Sequence, residues 1–101
     1  MDEWPSKLRL ISVLATTHVF LSRSTEEGWP DENPQKTALE ISQVIAHLFE
    51  PSIPLPEYCS ILFAPTGPIQ EIAMANKWHD SYLMLSSEFD RLAYLVKSRA
   101  S

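Results

Sequence analysis

The sequence predicts an all-α fold, a compact bundle of four or five helices joined by proline-rich turns. Apolar residues recur at steps of three and four, the period of a helix that is buried on one face. The 8 prolines lie at the edges of these runs, where a residue without a backbone N–H is tolerated. The 101-residue length and the 45% hydrophobic content are those of one globular domain, residues 1–101.

The first predicted helix runs from Pro5 to about Arg23. Pro5 suits the first helical turn, and Arg23 suits the negative end of the helix dipole. The expected buried stripe is Leu8, Ile11, Leu14, His18 and Leu21, widened by Leu10, Val13, Val19 and Phe20. The alternative is a strand over residues 11–21, where β-branched residues are dense, although alternation of polar and apolar residues fails there.

An acidic loop is predicted between residues 24 and 33. It carries four acids, no base and one tryptophan: Glu26, Glu27, Trp29, Asp31 and Glu32. An aromatic side chain surrounded by acids is typical of an interface with a basic partner, because Trp is enriched among residues that dominate binding energy. The alternative is that Trp29 folds back onto the bundle and the acids only solvate the loop.

A second helix is predicted from Pro34 to about Phe49. Asn33 is a favourable N-cap, and proline is common at the first helical position. The expected buried face is Ala38, Ile41, Ile45, Leu48 and Phe49, with Leu39 and Val44 at its margins. Lys36, Glu40, Gln43 and His47 are expected to face the other way.

The middle of the chain is rich in prolines, which are expected to end the second helix and to hold residues 50–56 extended. A short helix is predicted from Pro56 to Phe63. The next start signal is Thr66-Gly67-Pro68, with Gly67 or Thr66 as the cap. The apolar positions Ile69, Ile72 and Ala73 follow it.

The last apolar stripe is the longest in the chain: Trp78, Tyr82, Leu85, Phe89, Leu92 and Val96. A break is expected at residues 76–80, because Asn76 tolerates the left-handed conformation and Asp80 can cap a new helix. One continuous helix over 68–97 is the alternative. The stripe is predicted to be a core helix rather than a homodimer seam, since it spans fewer than three heptads and its aromatic residues are bulky.

No motif specifies a reaction, a metal or a cofactor. His18, His47 and His79 lack the i, i+4 spacing of a helical zinc site, and His18 is expected in the core. The His79-Asp80 pair resembles the dyad of metal phosphohydrolases, but further ligands are not evident. Cys59, the single cysteine, is expected to be a buried structural thiol. We therefore expect a protein that is not an enzyme and that holds no cofactor.

The net charge of −5 opposes binding to a phosphate backbone and favours a basic partner. The sequence therefore predicts a small acidic protein-binding module. Immunity proteins and inhibitors that occupy a basic site on a partner are the classes to which we compare it. A cytoplasmic location is expected, with no binding to nucleic acid or membrane. The alternatives are a nucleic-acid-binding regulator that uses the 65–97 helices, an enzyme that uses His18, His79 and Asp80, a structural subunit of a larger assembly, and a homodimer.

Overall fold

The computed structural model describes residues 4–25, 33–49, 63 and 67–100, with backbone only for residues 4 and 96–100. Four helices form this part of the chain: α1 (Trp4–Arg23), α2 (Pro34–Leu48), α3 (Pro68–Ala75) and α4 (His79–Ala100). The described residues contain no strand, so the all-α prediction is confirmed and the strand alternative for residues 11–21 is wrong. The predicted helix over 56–63 lies outside the described residues except for Phe63.

The helices surround one core. α1 packs against both α2 and α4, and α3 closes the bundle by contacting α2 and α4. The molecule measures 40 × 21 × 19 Å, so it is little longer than its longest helix. α1 and α4 run antiparallel, because Trp78, which precedes α4, lies beside Ser24 at the end of α1.

The predicted start signals of α2 and α3 are confirmed. The Asn33 side-chain oxygen accepts a hydrogen bond of 3.0 Å from the Lys36 backbone N–H, and Pro34 begins the helix. At α3 the cap is Gly67 in an extended conformation, followed by Pro68. Both signals are local, because they depend on proline's fixed φ and on the N–H groups that every helix start leaves unpaired.

The predicted break between α3 and α4 is confirmed, but its left-handed residue is Lys77, with φ 64°, and not Asn76, with φ −108°. The Trp78 N–H donates to the Ala73 carbonyl at 2.9 Å, and the Lys77 N–H donates to the Met74 carbonyl at 3.4 Å. These two bonds form a Schellman motif, which requires the left-handed conformation one residue beyond the C-cap.

The cap predicted at Asp80 is wrong, because α4 already begins at His79 and Asp80 lies in its first turn. The Trp78 carbonyl accepts the first bond of α4, from the Tyr82 N–H at 2.9 Å. Trp78 therefore ends one helix and begins the next, so the two helices are joined without a flexible linker.

All four helices and Phe63 contribute to one apolar cluster: Leu10, Leu14, Leu21, Ala38, Ile41, Val44, Leu48, Phe63, Ile69, Ile72, Ala73, Trp78, Tyr82, Phe89, Leu92 and Ala93. The α4 stripe is buried within the single chain from Trp78 to Leu92, with Leu85 half-buried. The core role predicted for this stripe is confirmed. Its described residues already pack within the single chain, so they do not form a homodimer seam.

The buried stripe of α1 differs from the predicted one by a rotation of about one residue. Lys7, Leu10, Leu14, Thr17 and Leu21 are buried, whereas Leu8 is 54% and Val19 is 48% exposed. Thr17 can lie in the core because its hydroxyl donates to the Val13 carbonyl at 2.8 Å, which satisfies the polar group. On α2, likewise, Val44 is buried and Phe49 is 56% exposed.

Candidate interaction site at the base of the acidic segment

The five predicted site residues, Glu26, Glu27, Trp29, Asp31 and Glu32, lie outside the described residues. We call residues 26–32 the acidic segment. The structure describes the chain on both sides of it, Ser24 and Thr25 before it and Asn33 after it. We therefore describe the two points at which the acidic segment joins the bundle, Thr25 before it and Asn33 after it.

Both attachment points lie at the same end of the bundle. The Ser24 carbonyl accepts a hydrogen bond of 3.2 Å from the side-chain amide of Gln35, in the first turn of α2. The Thr25 N–H donates to the side-chain oxygen of Asn76 at 3.0 Å. Because one side chain bridges the residues before and after the acidic segment, its two described ends are close together.

Trp78 is the anchor of this region. Its indole N–H donates to the Ser24 hydroxyl at 3.0 Å, and that hydroxyl donates to the Phe20 carbonyl at 2.8 Å. The indole ring stacks on Phe20 with 4.8 Å between ring centroids. Trp78 is 8% exposed, so its N–H would be costly to leave without an acceptor.

Asn76 connects the same region to α3. Its side-chain N–H donates to the Ile72 carbonyl at 2.9 Å, while its oxygen accepts from Thr25. We call the set Phe20, Ser24, Thr25, Gln35, Asn76 and Trp78 the junction. The junction fixes the end of α1, the start of α2 and the turn between α3 and α4 against one another.

The described part of the chain holds eight bases and five acids. Its acids are Glu40, Glu71, Asp80, Glu88 and Asp90, and its bases are Lys7, Arg9, Arg23, Lys36, Lys77, Arg91, Lys97 and Arg99. The other acids are Asp2, Glu3, Glu26, Glu27, Asp31, Glu32, Glu50 and Glu57. The net charge of −5 therefore originates outside the described helices, and the acidic segment holds the densest group of acids.

A second hydrogen-bonded cluster holds Phe63 against α4. The Tyr82 hydroxyl donates to the Phe63 carbonyl at 3.0 Å, and the Ser86 hydroxyl donates to the same oxygen at 3.4 Å. The Phe63 ring stacks on Phe89 with 4.3 Å between centroids. Burial raises the pKa of Tyr82 above its usual 10.0, partly offset by its hydrogen bond with Ser86 and reinforced by the Asp90 charge.

The three histidines lie on three different helices. His18 is half-buried at the edge of a groove, with its Nδ1 3.3 Å from the Ser22 hydroxyl, so its predicted place in the core is wrong. His47 is exposed on α2, and the His79 ring stacks on Tyr82 with 5.8 Å between centroids. Among the described residues, no group of three His, Cys, Asp or Glu could hold a metal ion.

No protein family, curated protein or solved structure matches the chain. Of the helices in the described residues, none combines the length and the hydrophobicity needed to cross a membrane. The function is therefore inferred from the chain's own residues, and the junction with its acidic segment is the most specific arrangement that they form.

Proposed function

We propose that this protein is a small, non-enzymatic protein-binding module whose acidic segment occupies a basic site on a partner protein. The observation that supports the proposal best is the junction. It holds both described ends of the acidic segment at one end of the bundle through the Gln35–Ser24 and Thr25–Asn76 hydrogen bonds. A segment with fixed ends loses less conformational entropy on binding than a free tail would lose.

The charge distribution supports the same proposal. The described part of the chain holds more bases than acids, so the electrostatic attraction of a basic partner is concentrated on the N-terminal residues and on the segments between the described helices. Acids in such a segment raise the association rate and select against acidic partners, and Trp29 supplies the aromatic anchor that interfaces favour. Glu26, Glu27, Asp31 and Glu32 surround that anchor in the sequence.

Within this class, we favour an inhibitor or immunity-type protein that blocks its partner's basic site. A cytoplasmic location agrees with the single cysteine, which cannot form an internal disulfide. The 11.5 kDa chain is large enough to cover an active-site cleft and small enough to depend on one dominant contact segment.

The regulator alternative gains little from the structure. α3 and α4 are joined by a three-residue turn, as in a helix-turn-helix, but the described exposed residues of α4 include Asp80, Glu88 and Asp90. Three bases of α4, Arg91, Lys97 and Arg99, only equal these acids in number, and Arg91 pairs with Glu88 at 2.7 Å. A helix that enters a DNA groove needs cations for the phosphates and donors for the bases, so this surface does not favour nucleic acid.

The proposal is tested by capture from a soluble lysate of the source organism at low salt. The variants are Trp29→Ala and Glu26→Lys/Glu27→Lys, and the matched control is Asp80→Lys/Asp90→Lys, which changes the net charge by the same amount on exposed α4 positions. We expect the wild type and the control to capture the same protein and both segment variants to lose at least about tenfold, a 1.4 kcal/mol effect. Equal capture by all four proteins would overturn the proposal.

A further inference from the structure

Between Leu8 and Ser22 on α1 and between Leu39 and Phe49 on α2, the outward face of the α1–α2 pair carries no Asp, Glu, Lys or Arg, and Arg23 follows at its end. Its members, which share this side of the two helices, are Leu8, Ile11, Ser12, Ala15, His18, Val19 and Ser22 on α1, with Leu39, Ser42, Ile45, Ala46 and Phe49 on α2. We call this set the uncharged face. At its centre, Ala15, His18, Val19, Ser42 and Ile45 line an open groove of about 340 Å³.

The uncharged face is comparable in size with one side of a protein interface. Leu8 is 54%, Val19 48%, Leu39 58% and Phe49 56% exposed. Two helices, each about 10 Å wide and up to about 30 Å long, present roughly 600 Å² in projection. The accessible area is larger because side chains are corrugated, so the face approaches the ~800 Å² that each partner contributes to a stable interface.

The outermost residues of α1 form a pattern that matches its own reverse. Leu8, Ser12, Ala15 and Val19 are spaced by four, three and four residues and run large, small, small, large. If a second α1 lies antiparallel, with the two-fold axis between residues 13 and 14, Leu8 faces Val19 of the other copy and Ser12 faces Ala15. Small residues at the centre allow two helices to approach closely, and the larger ones fill the ends.

We propose that two copies of this chain form a symmetric dimer, in which α1 of each copy lies antiparallel over the α1–α2 groove of the other. Leu8 of one copy then reaches the level of Val19, where the groove of the other copy lies. Leu39 and Phe49 flank the incoming helix from α2. The two small groups at the centre, Ser12 and Ala15, set the distance between the two α1 helices.

Electrostatics favours a second copy in this orientation. Each chain carries −5, yet the uncharged face brings no like charges into the seam. In the antiparallel arrangement the dipoles of the two α1 helices point in opposite directions, which is favourable. Arg23 of each copy lies level with Trp4 of the other, and the acids Asp2 and Glu3 precede Trp4 in the sequence. The two acidic segments follow opposite ends of helices about 30 Å long, well beyond the ~8–10 Å screening length.

The chain's own segment 50–62 is the competing cover, because it follows Phe49. Its next described residue is Phe63, whose carbonyl is held by Tyr82 and Ser86 of α4. α4 lies across α1 from the groove: Phe20 stacks on Trp78, and Phe20 is about 200° around the helix from His18. The next described residue after this segment is therefore held on the opposite side of α1 from the uncharged face.

Sedimentation equilibrium at 10–100 μM protein tests the dimer. We expect a mass of about 23 kDa, twice the 11.5 kDa chain. Ala15→Glu, at an exposed position of the single chain, would bury an unpaired carboxylate from each copy near the axis and raise the dissociation constant at least about 100-fold. The matched control is Met84→Glu, a 74% exposed position on α4, which should remain dimeric.

Disulfide formation tests the orientation. In a Cys59→Ser background, Leu8→Cys and Val19→Cys proteins are prepared separately and then mixed under mild oxidation. The proposed seam predicts that the mixture forms the 8–19 disulfide and that neither protein alone becomes covalently dimeric. Circular dichroism of each variant confirms that it is folded before its mass is interpreted.

Two outcomes would overturn the proposal. The first is a wild type that is monomeric throughout the concentration range; if Ala15→Glu then also lowers the melting temperature of the monomer, residues 50–62 are the cover. The second is a dimer that forms 8–8 and 19–19 disulfides but not the 8–19 disulfide, because this pattern requires a parallel pairing of α1.

Discussion

Lys77 adopts a backbone conformation that a lysine does not favour. Its φ is 64°, and no other non-glycine residue in the described part of the chain has a positive φ. The Schellman motif at the end of α3 requires this conformation at Lys77. For a residue with a Cβ this conformation costs about 1–2 kcal/mol. The sequence predicted the break but placed the left-handed residue at Asn76, because the pattern of residue types cannot tell which of two neighbours follows the C-cap.

Replacing Lys77 with glycine should stabilise the fold. We expect Lys77→Gly to raise the free energy of unfolding by about 0.5–1 kcal/mol, since the relief of strain exceeds the added entropy of the unfolded chain. The control is Gln43→Gly, an exposed position within α2, which should lower the free energy of unfolding by about 1 kcal/mol. Urea unfolding followed by circular dichroism measures both, and a loss of stability in Lys77→Gly would contradict the assignment.

Tyr82 links stability to alkaline pH. Its pKa is raised above 10.0 in the folded protein, chiefly by burial, so the folded state holds the proton more tightly than the unfolded state. The resulting stabilisation is complete below pH 10 and is lost as the pH rises through the folded pKa. We expect Tyr82→Phe to lower the free energy of unfolding by about 1 kcal/mol near neutral pH, because the bond to Phe63 is lost. Between neutral and alkaline pH, the free energy of unfolding should then fall less in Tyr82→Phe than in the wild type.

The control for this titration is Tyr94→Phe, because Tyr94 is 71% exposed. The melting temperature, measured between pH 8 and pH 11, should fall with pH as steeply in Tyr94→Phe as in the wild type. It should fall less steeply in Tyr82→Phe. Identical slopes in all three proteins would mean that Tyr82 is not the group whose ionisation opposes folding.

At the scale of the elements, the helix borders followed from local chemistry, and the buried faces followed only in part. Asn33-Pro34 and Gly67-Pro68 mark starts because caps and proline act within one turn. The α1 stripe was displaced because Thr17 bonds its own helix and Lys7 is buried, and hydrophobicity alone assigns both residues to the surface. The site could not be predicted as a junction, since Ser24 and Trp78 are 54 residues apart in the chain.

The junction should matter to the stability of the whole bundle. Ser24→Ala removes the acceptor of the buried Trp78 indole N–H and should lower the free energy of unfolding by about 1–3 kcal/mol. The control is Ser22→Ala, an exposed serine in the last turn of α1, with an expected change within about 0.5 kcal/mol. Equal effects of the two substitutions in urea unfolding would show that the junction does not hold α1 to α4.

At the scale of the whole molecule, the chain separates packing from charge. The described helices form the core and hold more bases than acids, whereas the excess of acids lies in the N-terminal residues and in the segments between the described helices. The composition predicted an acidic protein, and the hydrogen bonds of the junction show that the described residues on either side of its densest acidic segment lie close together. A dimer formed through α1 would carry two such segments, so it could bind two partner molecules.

The central claim is that the acidic segment binds a basic protein site, and the salt dependence of the binding tests it most directly. Titration calorimetry with the captured partner should show a dissociation constant that rises at least about tenfold between 50 and 300 mM NaCl. Glu26→Lys/Glu27→Lys should abolish the binding, and Asp80→Lys/Asp90→Lys should retain it. A dissociation constant that does not change with salt, together with unchanged binding by the segment variant, would contradict the account.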